Sequence, residues 1–555
     1  MTHSTLESRT HIETLKEKYP QTTVKELFKE LRLRYLTAKG VSDRDTMINN
    51  DLDQIVNEIS SELAVHPTEL WGSAKFQLAY RVTRPEHLAL LGIDESQIRS
   101  AQEAVEHGRV MSVLPYNMLM SETTLKKYLP SRSEKFSGNW RHSVDPYGIF
   151  KKFTKVISID STGKETYLAT RKFPYAVLAN ITESCPIGCD GCYKGSMVRT
   201  SLAALEEILP EFGEIKKQLR LEEERAVDQA RKLTAWLNQN LEVDTVVISG
   251  GEPALYSNNT LKRILDEYKN AKYVEVVRIC TSSVFQGMWY RIDDELANLL
   301  HDFEGSSKKK FYINAHVTAW DQLAAPEAKI AVDKLRNKGI SIHLQMPVQE
   351  GINFRRDDME WTVNKLESLS KKAYELGVIP YKMILDMHSP SDPAVTIPLE
   401  TFTKAIGYFD RHEENSDQER WQAYNILHEQ GNNYLVSYPH FTAVKMIDTQ
   451  NKVVTYFIPK VDYKKGKRIE VHTYTEPLIA RHNDDPTSMN TIADKDIVDK
   501  IAQVQHAYLG CSAEIEQIEK QQISFQEKIN AIEEIEKEFY TISGITYPEN
   551  KPLVE

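Results

Sequence analysis

From about residue 172 the chain changes character: six short apolar runs alternate with longer amphipathic stretches. The runs are Tyr175–Ile181, Thr245–Ile248, Val274–Cys280, Phe311–His316, Ser341–Met346 and Pro380–Leu385, each with at least one Val or Ile. Between them, stretches such as Ala328–Lys338 and Glu360–Leu376 repeat apolar residues at helical spacing. Strands that alternate with helices in this way build an α/β fold with a parallel sheet, because parallel neighbours need a crossover long enough to hold a helix. Such sheets place their ligand sites at the C-terminal strand ends. Cys185, Gly250, His316 and Gln345 all stand at or just past those ends. The spacing fits an open six-unit version of a (β/α)8 barrel as well as an open sheet, and does not choose between them.

The flanks read differently. Residues 1–135 are expected to form an N-terminal helical domain. There Val24, Leu27, Phe28, Leu31 and Tyr35 follow a capping box of Thr23 and Glu26, and Leu52, Ile55, Val56, Ile59 and Leu63 repeat the stripe. Pro85 and Asp94 suit the first turns of further short helices. The α/β unit is expected over 136–430, with a charged helical stretch at about 202–238 read as a surface insertion. Residues 431–555 are read as a C-terminal β-rich segment, with runs at Tyr434–Val436, Phe441–Ile447, Val453–Ile458 and Ile469–Glu476, followed by a helical tail. The tail carries Ile515, Ile518, Phe525, Ile529, Ile532 and Phe539 on a stripe broken by Gln522. That stripe is expected to pack on the chain's own body, with a homo-oligomer or partner helix as the alternative.

Net charge is −11 over 555 residues without a long basic run, which argues against a nucleic-acid partner held by phosphate contacts. The N-terminus lacks the basic start and apolar core of a signal peptide. No apolar stretch approaches the roughly 20 residues that span a bilayer. Five cysteines, three of them on one loop, suggest no disulfide framework. The expectation is a cytoplasmic protein without membrane or nucleic-acid partners.

The loop Cys185-Pro186-Ile187-Gly188-Cys189-Asp190-Gly191-Cys192 carries three thiols in a C-x3-C-x2-C spacing. Three thiolates are one fewer than a closed four-cysteine site needs, so a four-iron cluster held there keeps one iron open for a small molecule. The rival is a zinc knuckle completed by a distant histidine. Downstream, Thr245–Ile248 runs into Ser249-Gly250-Gly251-Glu252-Pro253, in which the glycines admit close backbone approach to a ligand. Cys280 ends a strand, where cysteine commonly serves as a small hydrophobe, and Cys511 stands alone.

Together these segments resemble the radical S-adenosylmethionine (SAM) superfamily, and within it the lysine 2,3-aminomutase family, over roughly residues 170–480. The resemblance runs through the cysteine loop, Ser249-Gly250-Gly251-Glu252, the strand ending in Arg278-Ile279-Cys280, and Asn314-Ala315-His316. It continues through Gln345 to Gly351 and Asn353, Pro380-Tyr381, and Tyr474 to Pro477. It implies a partial (β/α)6 barrel and a 4Fe-4S cluster on Cys185, Cys189 and Cys192. It also implies SAM bound by Ser249, Gly250, Gly251, Glu252, His316 and Gln345. A flavodoxin or ferredoxin would supply the electron, and the radical formed from SAM would abstract hydrogen from an amino acid or small amine. In the aminomutases pyridoxal phosphate (PLP) carries the substrate amine through a 2,3-migration.

The substrate half departs from the family pattern. Gly191 stands where the family has an aromatic residue, although Tyr193 follows the third cysteine. Lys194 takes the place of the arginine that pairs with the substrate carboxylate, and lysine lacks the bidentate fork. Asp386 and Asp448 fall near the family's substrate-binding acids, and Lys452 aligns best with the PLP lysine, with Lys445 and Lys460 as alternatives. The run before Lys452 has no glycine and reads equally as a hairpin turn. Two enzyme readings follow: an aminomutase-like isomerase, or a PLP-independent radical SAM dehydrogenase, epimerase or rearrangement enzyme that consumes SAM. A zinc-binding scaffold is the reading from outside catalysis.

Overall fold

The computed structural model describes residues 10–42, 50–130 and, with short breaks, 154–385, together with strands between 423 and 477 and single positions within 397–409 and 527–534. The chain divides into two compact units, one built mainly from residues up to 354 and one mainly from 384 onward.

In the first unit the N-terminal helices form where their caps and stripes place them. Thr10 and Glu13 close a capping box on α1 (His11–Lys18), and Thr23 and Glu26 close the expected one on α2 (Val24–Ala38). The α2 stripe is buried, and Leu36 joins it. Ile55, Val56 and Ile59 of α3 (Asn50–Leu63) are buried as well. Pro85 opens a 3-10 turn that Gly92 ends at φ 71°, and Asp94 caps α4 (Glu95–Glu106) by accepting from the Gln97 amide at 3.0 Å. Phe28, Trp71 and Phe76 form an aromatic cluster that reaches Trp289.

The sheet follows chain order from β1 to β8. β1 (Thr154–Ile159), β2 (Glu165–Phe173) and β3 (Ala176–Thr182) are antiparallel neighbours. From β3 through β4 (Thr245–Gly250), β5 (Val276–Thr281), β6 (Lys310–His316) and β7 (Ser341–Val348) every pairing is parallel. β8 (Ile379–Leu385) is the last of the expected six. The first strand pair, β1 and β2, was not anticipated.

Crossover helices follow the parallel strands: α5 (Glu223–Leu237), α6 (Asn258–Lys269), α7 (Asp294–Ser307), α8 (Pro326–Arg336) and α9 (Met359–Leu376). α5 occupies the second half of the stretch expected to be a surface insertion. It buries Ala226, Gln229, Ala230, Leu233 and Leu237, and the Gln229 amide donates to the Leu168 and Asn180 carbonyls at 2.6 and 2.9 Å. It is the β3–β4 crossover and forms part of the core. The N-terminal helices are tied to the same core at Glu327 of α8, a fully buried carboxylate. It accepts from Arg32 at 2.8 and 3.0 Å and from the Trp71 indole at 3.1 Å.

Strand register sorts the two faces. Phe311 packs against Phe303 of α7, so Tyr312, Asn314 and His316 point to the opposite, inner face. Parallel register then stacks inner-face residues in rows: Val247, Arg278 and Tyr312 below; Asn180 beside Ser249, and Cys280 beside Asn314 and His343, in the middle; His316 and Gln345 above.

In the second unit β9 (Ala423–His428) and β10 (Gly431–Leu435) pair as a hairpin. β11 (Val444–Asp448), β12 (Val453–Asp462) and β13 (Arg468–Pro477) form an antiparallel sheet of three strands. β10 to β13 overlap the expected C-terminal runs, and β9 precedes them. Among the described residues no helix is long and apolar enough to cross a membrane.

Candidate active site at the strand ends

The β4 end lies directly on the start of the cysteine loop. The Gly251 amide donates to the Thr182 carbonyl at 2.6 Å and the Glu252 amide to the Ser184 carbonyl at 2.8 Å. A β-carbon on Gly250, at φ 127°, would meet the Thr182 oxygen at 2.2 Å, and one on Gly251 would meet the Ser184 oxygen at 2.1 Å. Both glycines are therefore required by approach to the chain's own backbone. Glu252, 1% exposed, spends its carboxylate on the Thr281 hydroxyl at 2.5 Å and on the Ser282 and Ala254 amides at 2.8 and 3.1 Å. Burial pushes its pKa up despite those donors. It joins the ends of β4 and β5.

The cysteine loop is pinned from the other side by the N-terminal segment. The Gly188 amide donates to the Ser112 carbonyl at 2.9 Å, and the Ser112 hydroxyl returns a bond to the Pro186 carbonyl at 2.6 Å. Cys185 and Cys192 are half-buried and Cys189 is buried. Desolvation, with Glu252, Cys189 and Cys192 nearby, pushes the Cys185 thiol well up, so a metal at this loop would have to offset that cost to bind the thiolate. Among the described residues no three His, Cys, Asp or Glu side chains converge on one metal ion. A cluster takes one thiolate per iron, so its cysteines stand apart rather than meeting at a point. Three separate thiols on one pinned loop fit that donor set.

Lys194 lies 4% exposed beneath the loop, donating to Asn180 Oδ1 at 2.7 Å and Ser249 Oγ at 2.6 Å. It thereby draws Ser249 into a bond with the loop. His316 and Gln345 are register neighbours at the ends of β6 and β7. Burial, and then the nearby Lys127 ammonium, hold the His316 imidazole well below its usual pKa, so it is neutral at physiological pH. Lys127 Nζ stands 3.5 Å from His316 Nε2 and bonds to Thr318 Oγ1.

The structure thus gathers the cysteines, Ser249, Gly250, Gly251, Glu252 and Lys194 at adjacent strand ends, with His316 and Gln345 farther along the same sheet edge. Asp448 is the last residue of β11, paired in register with Val453, in the other compact unit. Asp386 and Lys452 lie outside the described residues.

Two residues of this edge were not anticipated. Gln286, fully buried, accepts from Cys189 Sγ at 3.4 Å and donates to the His316 carbonyl at 2.7 Å, and the Tyr128 hydroxyl stands 3.5 Å away. Lys127 arrives from the N-terminal segment. Neither stands in a motif, and no sequence signal marks them.

No family model matches the chain. An L-lysine 2,3-aminomutase of Methanococcus maripaludis is 26% identical over 347 residues, 60% of this chain and 69% of the relative. A glutamate 2,3-aminomutase of Clostridioides difficile is 24% identical over 219 residues, 40% of this chain and 44% of the relative. A relative in Aquifex aeolicus is 24% identical over 272 residues, 47% of this chain and 65% of its own length. The chain is similar to the lysine 2,3-aminomutases, at 24–26% identity. Its cysteine loop and Gly-Gly-Glu-Pro turn lie against each other. Between 44% and 69% of each of these three relatives' own length is matched.

Proposed function

We propose that the chain is an aminomutase-like radical SAM enzyme acting on an amino acid or small amine, built on a partial (β/α)6 barrel. The observation that carries this reading is the pair of backbone bonds, Gly251 to Thr182 and Glu252 to Ser184, which bring the two motifs to one place. Cys185, Cys189 and Cys192 would hold a 4Fe-4S cluster, and the neighbouring edge with His316 and Gln345 would hold SAM. When bound there, these groups supply a 5′-deoxyadenosyl radical for hydrogen abstraction. The chain's own residues do the rest. Ser112 and Gln286 orient the cysteine loop, and neutral His316 offers a hydrogen-bonding ring without charge.

A second reading is favoured by Lys194. Its ammonium is bonded to Asn180 and Ser249, so the substrate half is arranged differently from the family pattern. A PLP-independent enzyme that consumes SAM fits that arrangement. PLP on Lys452 belongs to the first reading only, and a flavodoxin or ferredoxin would be the electron donor for both.

Anaerobically reconstituted protein, reduced with dithionite and given SAM, is expected to carry iron and sulfide and to form 5′-deoxyadenosine. Cys189→Ala is expected to lose both. Colourless protein carrying zinc would remove the proposal. Intact SAM recovered beside a β-amino acid, with a pyridoxyl-lysine after borohydride reduction, supports the mutase. Stoichiometric 5′-deoxyadenosine supports the second reading.

A further inference from the structure

Below the strand ends, the inner face holds a set of polar atoms that the site above does not use. Arg278 of β5 lies with its guanidinium over the Tyr312 ring, 5.2 Å from its centroid, and its buried Nε has no hydrogen-bond partner among the described residues. One row up, Asn314 Oδ1 and His343 Nδ1 are buried and likewise unpartnered among the described residues. The His343 ring stacks on Tyr312 at 4.4 Å and meets Tyr381 of β8 edge-on at 5.3 Å. Burial, and then the Arg278 charge, keep His343 below its usual pKa, so the ring faces the guanidinium as a neutral group.

Buried polar atoms are almost always paired, so three orphans on one face call for a common explanation. They come from three consecutive strands, β5, β6 and β7, and from adjacent rows. A guanidinium fixed against an aromatic ring presents its remaining N–H fork to an oxyanion. An amide oxygen and an imidazole beside it suit an N–H donor on the same ligand. Lys194, the residue expected to meet a substrate carboxylate, instead spends bonds on Asn180 and Ser249.

We infer that Arg278, Asn314 and His343 form the subsite for the α-amino acid head of the substrate, with the carboxylate on Arg278 and the amine on Asn314 and His343. The inference rests on the proposed function for its view of the ligand as a substrate, and narrows it to an amino acid rather than a simple amine. Tyr312 and Tyr381 hold the guanidinium and imidazole planes in place.

Full-length, cluster-reconstituted wild type would be titrated by calorimetry, without reductant, with the common amino acids, their decarboxylated amines, inorganic phosphate and pyridoxal phosphate. At least one amino acid is expected to bind, with its decarboxylated amine weaker by roughly 10- to 100-fold, the worth of a charge-assisted contact. Arg278→Met is expected to weaken the same amino acid by a similar factor, and Arg278→Lys by less. Asn314→Leu, which keeps a similar volume and removes the amide oxygen offered to the amine, is expected to act in the same direction. Equal binding of the acid by wild type and Arg278→Met, absence of binding by every amino acid, or an Arg278-dependent preference for either phosphate would overturn the assignment. Wild type that binds an amino acid through Arg278 yet makes no 5′-deoxyadenosine on reduction would keep the subsite and remove the radical reading.

Discussion

At Gly251 a β-carbon would stand 2.1 Å from the Ser184 carbonyl oxygen, a backbone atom of the segment that leads into Cys185. Gly251→Ala must push β4 and the loop apart, breaking the 2.6 and 2.8 Å bonds to Thr182 and Ser184. The expected cost is roughly 2–4 kcal/mol in urea unfolding, the range for overpacking with loss of buried hydrogen bonds. Iron retained after reconstitution should fall with it, and an unchanged urea midpoint would contradict this account. The Gly-Gly-Glu-Pro motif was legible in the sequence as a place of close approach. What it approaches was not, because that depends on the β3–β4 register, which brings residues about 70 positions apart into contact. The same limit hid the bonds of Glu252 and Lys194: their partners, Thr281, Asn180 and Ser249, are set by tertiary structure. Arg278 did carry a signal, a cation within an otherwise apolar strand, but read singly it could mark a strand edge.

Elements were more legible than contacts. The parallel strands are β-branched and apolar because both faces are covered, and such runs stand out. β1 and β2 mix Thr, Lys, Glu and Arg into their strands, and Ile159 is 63% exposed, so their alternation is weak. α5 reads as an insertion in sequence because its stretch is charged and longer than a single crossover needs, while its buried stripe is made partly of Ala and Gln. Among the helices, α1 offers a titratable test. The Thr10 backbone amide, and then the His87 ring at 2.9 Å, hold the Glu13 carboxyl at about 2, below its ordinary 4.5. A carboxyl depressed in the folded state contributes stability that is complete above about 4.5 and is lost as pH falls toward about 2. Hydrogen exchange at α1 amides, corrected for intrinsic rates, should therefore accelerate across that window in wild type. Glu13→Gln should flatten the dependence, and identical profiles would exclude Glu13 as its source.

At the scale of the molecule, the described N-terminal helices and the parallel strands β3 to β7 share one compact unit, and Gln286 is where several of its parts meet. One buried amide reaches Cys189 of the cysteine loop, the His316 carbonyl at the end of β6, and Tyr128 of the N-terminal segment. Asn117, from the same segment, donates to its carbonyl at 3.5 Å. The orientation of ligating side chains tunes metal affinity and potential from outside the ligand set. Gln286→Met keeps the volume but removes the amide, leaving the His316 carbonyl without its donor and Cys189 without its neighbour. Folding stability is expected to fall by about 1–3 kcal/mol, the cost of leaving a buried partner unpaired. Iron is expected to leave to a chelator roughly tenfold faster, the lower end of outer-sphere effects on metal sites. The two readouts separate two roles. A stability loss without faster iron release would make Gln286 a packing residue alone. Faster release, with a shifted cluster potential by anaerobic titration, would place it in the control of the cluster. Because the amide spans the N-terminal segment, the β6 end and the cysteine loop, that second result would extend the cluster's support to the N-terminal helices, which carry no motif of their own.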